Sequence, residues 1–284
     1  RIELVKAYLF KFLGLIKNSG PYKGEEMYGA IRKFRERLND GETLIGSTVV
    51  FSDPIATDAL AESADFIWYD QEHSPMGPEN LRTHLMAARA KGCPGIVRVT
   101  QGSTPFVKPV LDAGADGVIA PQIRTVDEVR QLVSDCRYPP IGSRGYGPAI
   151  SSNYGRNGGP GYVQDADESI FAAVMLETVE AVEAIDEIVS VPGLDSIVIG
   201  PMDLSGAMGV LGDIEHPRVV DAMEKVILSA KNAGVYVGAG MGLDTNYGSI
   251  LARRGVQWLQ VANDIMMMID GMDRATRELR GKLS

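Results

Sequence analysis

Five polar side chains lie just past the ends of four apolar, strand-like runs of the sequence. A buried core does not need three carboxylates, a guanidinium and an imidazole at matching positions in successive β-α units. We therefore predict one site assembled from distant segments, and an enzyme. The residues are Asp70 and His73 in YDQEHSP, Arg98 in GIVRV, Glu177 in AAVMLET and Asp203 in VIGPMDLS.

Two of these carboxylates are candidates for a metal site. Glu177 and Asp203 follow adjacent strand-like runs, so their carboxylates can converge on one divalent cation. Ligation by oxygen alone favours magnesium, manganese or a similar hard ion, with water and substrate at the remaining positions. The alternative is that both residues are helix N-caps, since Asp203 precedes the short Leu-Ser-Gly stretch.

Arg98 is the single charge in its apolar run, and a charge at that depth is rarely unpaired. Its guanidinium fork can hold a substrate carboxylate, or it can form a salt bridge with a neighbouring strand. We give the substrate the greater weight. In either case Arg98 belongs to the predicted site.

His73 follows Asp70 by three positions and is the candidate acid/base. A carboxylate that accepts from one imidazole nitrogen fixes the tautomer and leaves the other nitrogen to move protons near neutral pH. We predict such a dyad, with a solvated surface histidine as the alternative. We expect His84, inside a helical pattern, and His216, before Pro217, to be structural.

A glycine-rich run, residues 238–242, has the spacing of a dinucleotide or phosphate loop and follows a strand-like segment. It occurs at the seventh such segment rather than in a first βαβ unit, where a dinucleotide fingerprint belongs. We predict a tight turn here, and keep a site for a small acidic group as the alternative.

Eight short apolar runs alternate with helical patterns from residue 41 onward. Continuous apolar strands separated by helices are covered on both faces, as a closed parallel barrel requires. We predict an α/β fold, a TIM (β/α)8 barrel over residues 41–284, preceded by an N-terminal helical extension over residues 1–40. Catalytic residues of such barrels follow the carboxyl ends of the strands. The runs are approximately 44–50, 66–69, 96–99, 117–120, 170–176, 196–199, 235–238 and 258–261.

Composition narrows the classes of partner. A net charge of −9 over 284 residues argues against a nucleic-acid surface. Two cysteines, Cys93 and Cys136, are too few for a disulfide framework, so we expect a cytoplasmic protein. Lysines interrupt the apolar run of residues 2–17, so we expect an amphipathic helix rather than a membrane span. We expect it to pack on protein, with a membrane surface as the alternative.

Six stretches of the sequence resemble the HpcH/HpaI family of divalent-metal-dependent class II pyruvate aldolases, of the 4-hydroxy-2-oxoheptanedioate aldolase type. They are DQEHSP, GIVRVTQGS, KPVLDAGADGVIAPQI, CRYPPIGSRGYG, LETVEAVEAIDEI and IGPMDLSGAMG. The resemblance implies reversible cleavage of 4-hydroxy-2-oxo acids to pyruvate and an aldehyde. It implies that Mg²⁺, Mn²⁺ or Co²⁺ is held by the residues Glu177 and Asp203.

The same resemblance assigns further roles and an assembly. Arg98 would contact the substrate, and His73, paired with Asp70, would be the acid/base. An aspartate like Asp112 is contributed to the site by a neighbouring subunit, and the family forms hexamers that are trimers of dimers. Backbone N–H groups of the Gly200-Pro201-Met202 loop would help Arg98 to bind the anionic substrate.

Two positions depart from the family pattern and bear on which substrate the pocket takes. Met175 stands where relatives often carry a polar residue, and Met202 replaces a smaller one, so we expect a bulkier and less polar pocket floor. One alternative is an oxaloacetate-decarboxylating, enolate-forming enzyme of the macrophomate synthase type. A non-enzymatic alternative is a catalytically silent barrel that acts as a binding or assembly protein.

Overall fold

Eight parallel strands form a closed barrel in the computed structural model, which describes residues 25–283. Each strand pairs with its neighbours in sequence, and β8 closes the barrel onto β1. The predicted TIM barrel is confirmed. Residues 1–24, including the expected amphipathic helix, lie outside the described residues. The strands are β1 Leu44–Val49, β2 Ile67–Asp70, β3 Gly95–Arg98, β4 Gly117–Ala120, β5 Phe171–Leu176, β6 Ser196–Ile199, β7 Tyr236–Met241 and β8 Trp258–Asn263.

Helices of the described residues form the outer layer, and α1 precedes the barrel. The last of them, α12, has an exposed apolar face. The helices are α1 Glu25–Asn39, α2 Ile55–Leu60, α3 Pro78–Ala90, α4 Thr104–Asp112, α5 Val126–Cys136, α6 Pro160–Ser169, α7 Val179–Glu183, α8 Ile185–Val189, α9 Pro201–Ala207, α10 Pro217–Ala233, α11 Thr245–Arg254 and α12 Asp264–Leu283. None of these helices has the length and hydropathy needed to cross a membrane.

Aromatic side chains close the amino-terminal end of the barrel. Phe34 of α1 packs edge-on against Phe66 and Phe171, with ring centroids 5.6 Å away in both cases. Its ring centroid is 6.2 Å from that of Trp258. These three partners stand at or just before the first residues of β2, β5 and β8, so α1 plugs this end. The apolar core is thereby closed at the amino-terminal end of the barrel. The polar residues of the predicted site are confined to the opposite, carboxyl end.

Strand register brings the predicted site together at that carboxyl end. Asp70 and Arg98 are the last residues of β2 and β3 and are direct register partners. Glu177 follows the last residue of β5, and Asp203 lies in the first turn of α9, just after β6. Because parallel strands end at one rim, side chains more than a hundred residues apart in sequence share one mouth.

Candidate active site

The Arg98 guanidinium and the Asp70 carboxylate form a buried ion pair. Nε donates to Oδ1 over 2.9 Å, and Nη2 donates to Oδ2 over 2.6 Å. Both side chains are largely buried, with 13% and 8% of their surface exposed. Of the two partners considered for Arg98, the structure contains the salt bridge to a neighbouring strand. Asp70 therefore fixes the guanidinium in place.

Arg98 has three further neighbours. Its Nη1 lies 3.0 Å from a Glu72 carboxylate oxygen and donates to the Met175 sulfur over 3.7 Å. The guanidinium carbon lies 5.6 Å from the centroid of the Trp68 ring, within cation–π range. A substrate anion that reached Arg98 would share this guanidinium with two carboxylates. Met175, placed by sequence in the pocket floor, is at this site.

His73 lies beside Glu72 rather than against the Asp70 carboxylate. Its Nε2 is 3.5 Å from a Glu72 oxygen, and its side chain is 64% exposed. Asp70 Oδ1 instead accepts from the backbone N–H groups of Glu72 and His73, over 3.0 and 3.4 Å. The predicted Asp70–imidazole hydrogen bond is replaced because Arg98 occupies both carboxylate oxygens. The carboxylate next to the ring is that of Glu72.

Burial and nearby charge both act on Glu72. Burial raises its pKa, and the charges of Asp70 and Asp203 act in the same direction, whereas Arg98 and His73 lower it. The pKa of Glu72 therefore depends on the charges of Arg98, His73, Asp70 and Asp203. Glu72 is not among the site residues predicted from the sequence, although it stands inside the DQEHSP motif.

Glu177 is buried, with 2% of its surface exposed, and its carboxylate is held by Gln122. Oε1 accepts from the Gln122 backbone N–H over 2.8 Å and from its amide Nε2 over 3.0 Å. Burial raises the pKa of Glu177 to about 7, opposed by the Gln122 N–H and, more weakly, by Arg98. The neighbouring charges of Asp203 and Glu72 contribute to this raised pKa.

Gln122 was missed by the sequence analysis. It adopts a left-handed backbone conformation, with φ of 55°, and this aims its N–H at Glu177. A positive φ at a non-glycine residue is uncommon and costs free energy. Neither its residue type nor its position after β4 signals this role, because the contact depends on Glu177, 55 residues further along the chain.

Glu177 and Asp203 line one cleft of about 610 Å³ at the mouth. Neither is an N-cap, since Thr178 and Gly200 occupy those positions of α7 and α9. A Cβ atom on Gly200 would lie 2.7 Å from Oε2 of Glu177, so the glycine leaves that oxygen open space. Space beside a buried carboxylate oxygen fits a hard cation.

The charge balance of the mouth also fits a cation. Four carboxylates, those of Asp70, Glu72, Glu177 and Asp203, lie around the guanidinium of Arg98, and the further guanidinium of the cleft, that of Arg124, is paired with Glu180. A divalent ion would offset most of the remaining negative charge. Within residues 25–283 no three or more His, Cys, Asp or Glu side chains form a ready metal cluster. Ligation would thus involve the two residues Glu177 and Asp203 with water or substrate.

Asp112 lies at the other end of the barrel. It is the last residue of α4, just before β4 begins, and its carboxylate accepts from Arg144 Nη2 over 3.1 Å. Within one chain it does not join the site. That such an aspartate serves a neighbouring subunit stays a prediction.

The other residues named from sequence have ordinary structural roles. His84 is fully buried and its Nδ1 lies 2.8 Å from the Thr57 hydroxyl. His216 is the N-cap of α10 and accepts from the Arg218 N–H over 3.3 Å. The expected turn at 238–242 is wrong, since residues 238–241 belong to β7. A side chain at position 238 would place its Cβ 2.2 Å from the Trp258 ring, so glycine is required there.

Comparison with known proteins gives a family match over most of the chain. The model of the HpcH/HpaI aldolase/citrate lyase family matches residues 50–271. The hydroxypyruvate/pyruvate aldolase of Roseobacter denitrificans is 32% identical over 247 residues, which cover 86% of this chain and 95% of the relative. The 4-hydroxy-2-oxovalerate aldolase of Rhodococcus jostii is 34% identical, over 74% of this chain and 83% of the relative.

Solved structures agree with this match. An HpcH/HpaI aldolase/citrate lyase family protein from Burkholderia cenocepacia superposes with a TM-score of 0.82 and 31% identity, covering 87% of this chain and 99% of the other. Macrophomate synthase superposes with a TM-score of 0.73 and 25% identity, covering 94% and 93% of the two chains. These matches extend across the barrel and both sides of its mouth.

Proposed function

The chain belongs to the HpcH/HpaI aldolase/citrate lyase family, and we propose that it reversibly cleaves 4-hydroxy-2-oxo acids to pyruvate and an aldehyde. It is an enzyme, a carbon–carbon lyase of the aldolase type, as its named relatives are. The observation that carries the proposal is the pair Glu177 and Asp203 in one cleft beside Arg98. A non-catalytic barrel would not need the buried carboxylate of Glu177 beside the like charge of the exposed Asp203.

We propose that Glu177 and Asp203 hold a divalent cation, with Mg²⁺, Mn²⁺ and Co²⁺ as the candidates. When bound, the ion would supply positive charge to the 2-oxo acid group and so favour the enolate form of pyruvate. Gln122 keeps Glu177 in place through its two hydrogen bonds. Gly200 keeps the second carboxylate oxygen accessible.

Arg98 and the loop that follows β6 are assigned to the substrate. Asp70 orients the guanidinium of Arg98 through its two-point contact, so little conformational freedom remains to be lost on binding. The start of α9, at Gly200, Pro201 and Met202, presents backbone to the same mouth. These groups would orient the anionic end of the substrate.

His73 is assigned the proton transfer at the 4-hydroxyl. In cleavage the bond between C3 and C4 breaks, its electron pair forms the enolate of pyruvate, and the hydroxyl proton leaves as the aldehyde carbonyl forms. One proton then reaches C3 to complete the methyl group. The imidazole is exposed to the mouth, and Glu72 beside it stabilises the protonated ring after the transfer.

The runner-up is decarboxylation of oxaloacetate to the same enolate, and the likeness to macrophomate synthase supports it. We would measure pyruvate release from oxaloacetate and from a 4-hydroxy-2-oxo acid, using chelated protein with and without Mg²⁺, Mn²⁺ or Co²⁺. Metal-dependent cleavage of the hydroxy acid is the expected result. Decarboxylation alone would support the runner-up, and no activity on either compound would refute both.

We also propose that the chain self-associates, as the expected trimer of dimers. Ile265, Met268, Ile269 and Met272 follow helical spacing along α12 and are 38%, 58%, 53% and 67% exposed. Such a stripe is typical of a helix face that packs on protein.

Cys93 and Cys136 are buried free thiols, which supports placement in the reducing cytoplasm.

A further inference from the structure

The Asp70 carboxylate has no acceptor capacity left for the His73 ring. It accepts two hydrogen bonds from Arg98, over 2.9 and 2.6 Å, and two more from the backbone N–H groups of Glu72 and His73, over 3.0 and 3.4 Å. An ionised carboxylate offers about four lone-pair sites, and these four bonds use them. An imidazole that is held in one orientation therefore needs a different partner.

Glu72 has a carboxylate oxygen with unused hydrogen-bonding capacity. Its Oε2 is buried and makes no hydrogen bond within residues 25–283. The same atom lies 3.0 Å from Arg98 Nη1 and 3.5 Å from His73 Nε2. A buried oxygen without a hydrogen bond costs free energy, so a bond donated by the adjacent ring would be favourable. Because the ring is exposed, it is free to turn toward this oxygen.

Glu72 itself is held on two sides. Its backbone N–H donates to Asp70 Oδ1 over 3.0 Å, and its carboxylate is ion-paired with Arg98. The Glu72 side chain is 14% exposed, against 64% for that of His73. Burial raises the pKa of Glu72, and the charges of Arg98 and His73 oppose this effect, so the ring and the carboxylate interact. An anchored carboxylate beside an exposed ring can fix the orientation of that ring.

We propose that Glu72 is the positioning residue of His73: its Oε2 accepts the Nε2–H of the ring, which leaves Nδ1 to take the proton of the 4-hydroxyl. This inference rests on the proposed aldolase function and names the partner of its acid/base. When the bond between C3 and C4 breaks, its electron pair forms the enolate of pyruvate and the hydroxyl proton moves to Nδ1. The ring then carries both protons, and the charge of Glu72 stabilises it until Nδ1 gives up its proton.

The first test reads the tautomer of His73 by solid-state ¹⁵N NMR of the full chain with Mg²⁺. The sample is labelled at histidine and kept at about pH 8, where an ordinary imidazole is neutral. The chain has three histidines, and the spectrum of His73→Ala identifies the signals of this ring. We expect Nε2 to be protonated and Nδ1 to be unprotonated. A protonated Nδ1 in the unaltered protein would overturn the proposal.

Variants of Glu72 connect the tautomer to this carboxylate. Glu72→Ala should give a mixture of the two tautomers, because the acceptor is gone. Glu72→Gln should keep Nε2 protonated, because the amide oxygen still accepts. Glu79→Ala, which removes an exposed carboxylate in the first turn of α3, is the control and should leave the spectrum unchanged. A Glu72→Ala spectrum identical to that of the unaltered protein would overturn the proposal.

Kinetics of cleavage of a 4-hydroxy-2-oxo acid in Mn²⁺ separate positioning from a structural effect. Glu72→Ala should lower kcat at least tenfold and change KM less than threefold, because a misplaced acid/base slows the chemical step. A residue that served only to offset the charge of Arg98 would affect KM instead. Glu72→Gln, which keeps the acceptor without the charge, should retain more of kcat than Glu72→Ala. A loss confined to KM would overturn the proposal.

The tautomer is read without substrate, so its outcome can be separated from that of the proposed function. Metal-dependent cleavage by the unaltered protein, together with a protonated Nδ1 or an unchanged kcat in Glu72→Ala, would refute this inference alone. Absence of cleavage by the unaltered protein with every metal would refute the proposed function and this inference with it.

Discussion

The Arg98 guanidinium donates two hydrogen bonds to the Asp70 carboxylate, with donor–acceptor distances of 2.9 and 2.6 Å. The two residues are register partners at the carboxyl ends of β2 and β3. Both groups are largely buried, so each neutralises a charge that would otherwise be stranded away from water. The pair sets the position of the Arg98 guanidinium at the acidic mouth.

Removing either member of this pair should lower the free energy of unfolding. Removing both should lower it by less than the sum of the two single effects. Asp70→Ala should lower the free energy of unfolding by about 3 kcal/mol, because Arg98 keeps only Glu72 as an acidic partner. Arg98→Ala should have a similar effect. Urea denaturation of the two single variants and the double variant gives the coupling energy, and additive effects would show that the pair contributes nothing specific.

Glu177→Gln should weaken Mn²⁺ binding at least a hundredfold, because one of the two proposed ligands loses its charge. The matched control is Glu180→Gln, which alters a carboxylate that lines the same cleft but is 56% exposed and paired with Arg124. The control should change Mn²⁺ affinity less than twofold. Calorimetric titration of both variants is the measurement, and equal losses would contradict the assignment.

His73→Ala should slow aldol cleavage by roughly 10²-fold or more, the usual contribution of a general acid or base. Binding of Mn²⁺ and pyruvate should be unaffected, since the ring contacts Glu72 rather than the proposed ligands. His216→Ala serves as the control, because that imidazole caps α10. Single-turnover rates separate the chemical step from binding, and an unchanged rate would remove His73 from the mechanism.

Asp116→Asn should change the pH dependence of stability. Burial raises the pKa of Asp116 to about 6, despite the opposing effects of the Gly95 N–H and Arg89. A raised folded-state pKa stabilises the fold below pH 4, and this contribution is lost as pH rises through 6. The variant should therefore match the parent at pH 4 and exceed it by about 2 kcal/mol at pH 7.

Urea denaturation at pH 4, 5, 6 and 7 measures this difference. The amide side chain of the variant keeps an acceptor for the Gly95 N–H, which Asp116 bonds over 2.9 Å, so the comparison isolates the charge. Parallel stability curves for the two proteins would contradict the assignment of the shift to burial.

The apolar stripe on α12 predicts the behaviour of the assembly. Changing Met268 and Met272 to serine should weaken self-association, because these side chains are largely exposed in the single chain. Sedimentation velocity over a range of protein concentrations is the measurement. Leu228→Ser, an exposed apolar position on α10, is the control, and equal sedimentation of all three proteins would refute an interface on this face.

The sequence by itself determined the barrel and the list of polar residues at its mouth. Eight apolar runs alternating with helices admit few folds, because both faces of every strand must be covered. The carboxyl ends of those runs then locate Asp70, Arg98, Glu177 and Asp203 at one rim. This reasoning needs only local pattern and topology.

Only the tertiary structure decided which of these groups are paired with one another. Arg98 takes both oxygens of Asp70, so the carboxylate beside His73 is that of Glu72. Gln122 holds Glu177 through a left-handed backbone conformation. Such contacts join strands distant in sequence and depend on distances of a few ångströms, which residue type and spacing do not encode.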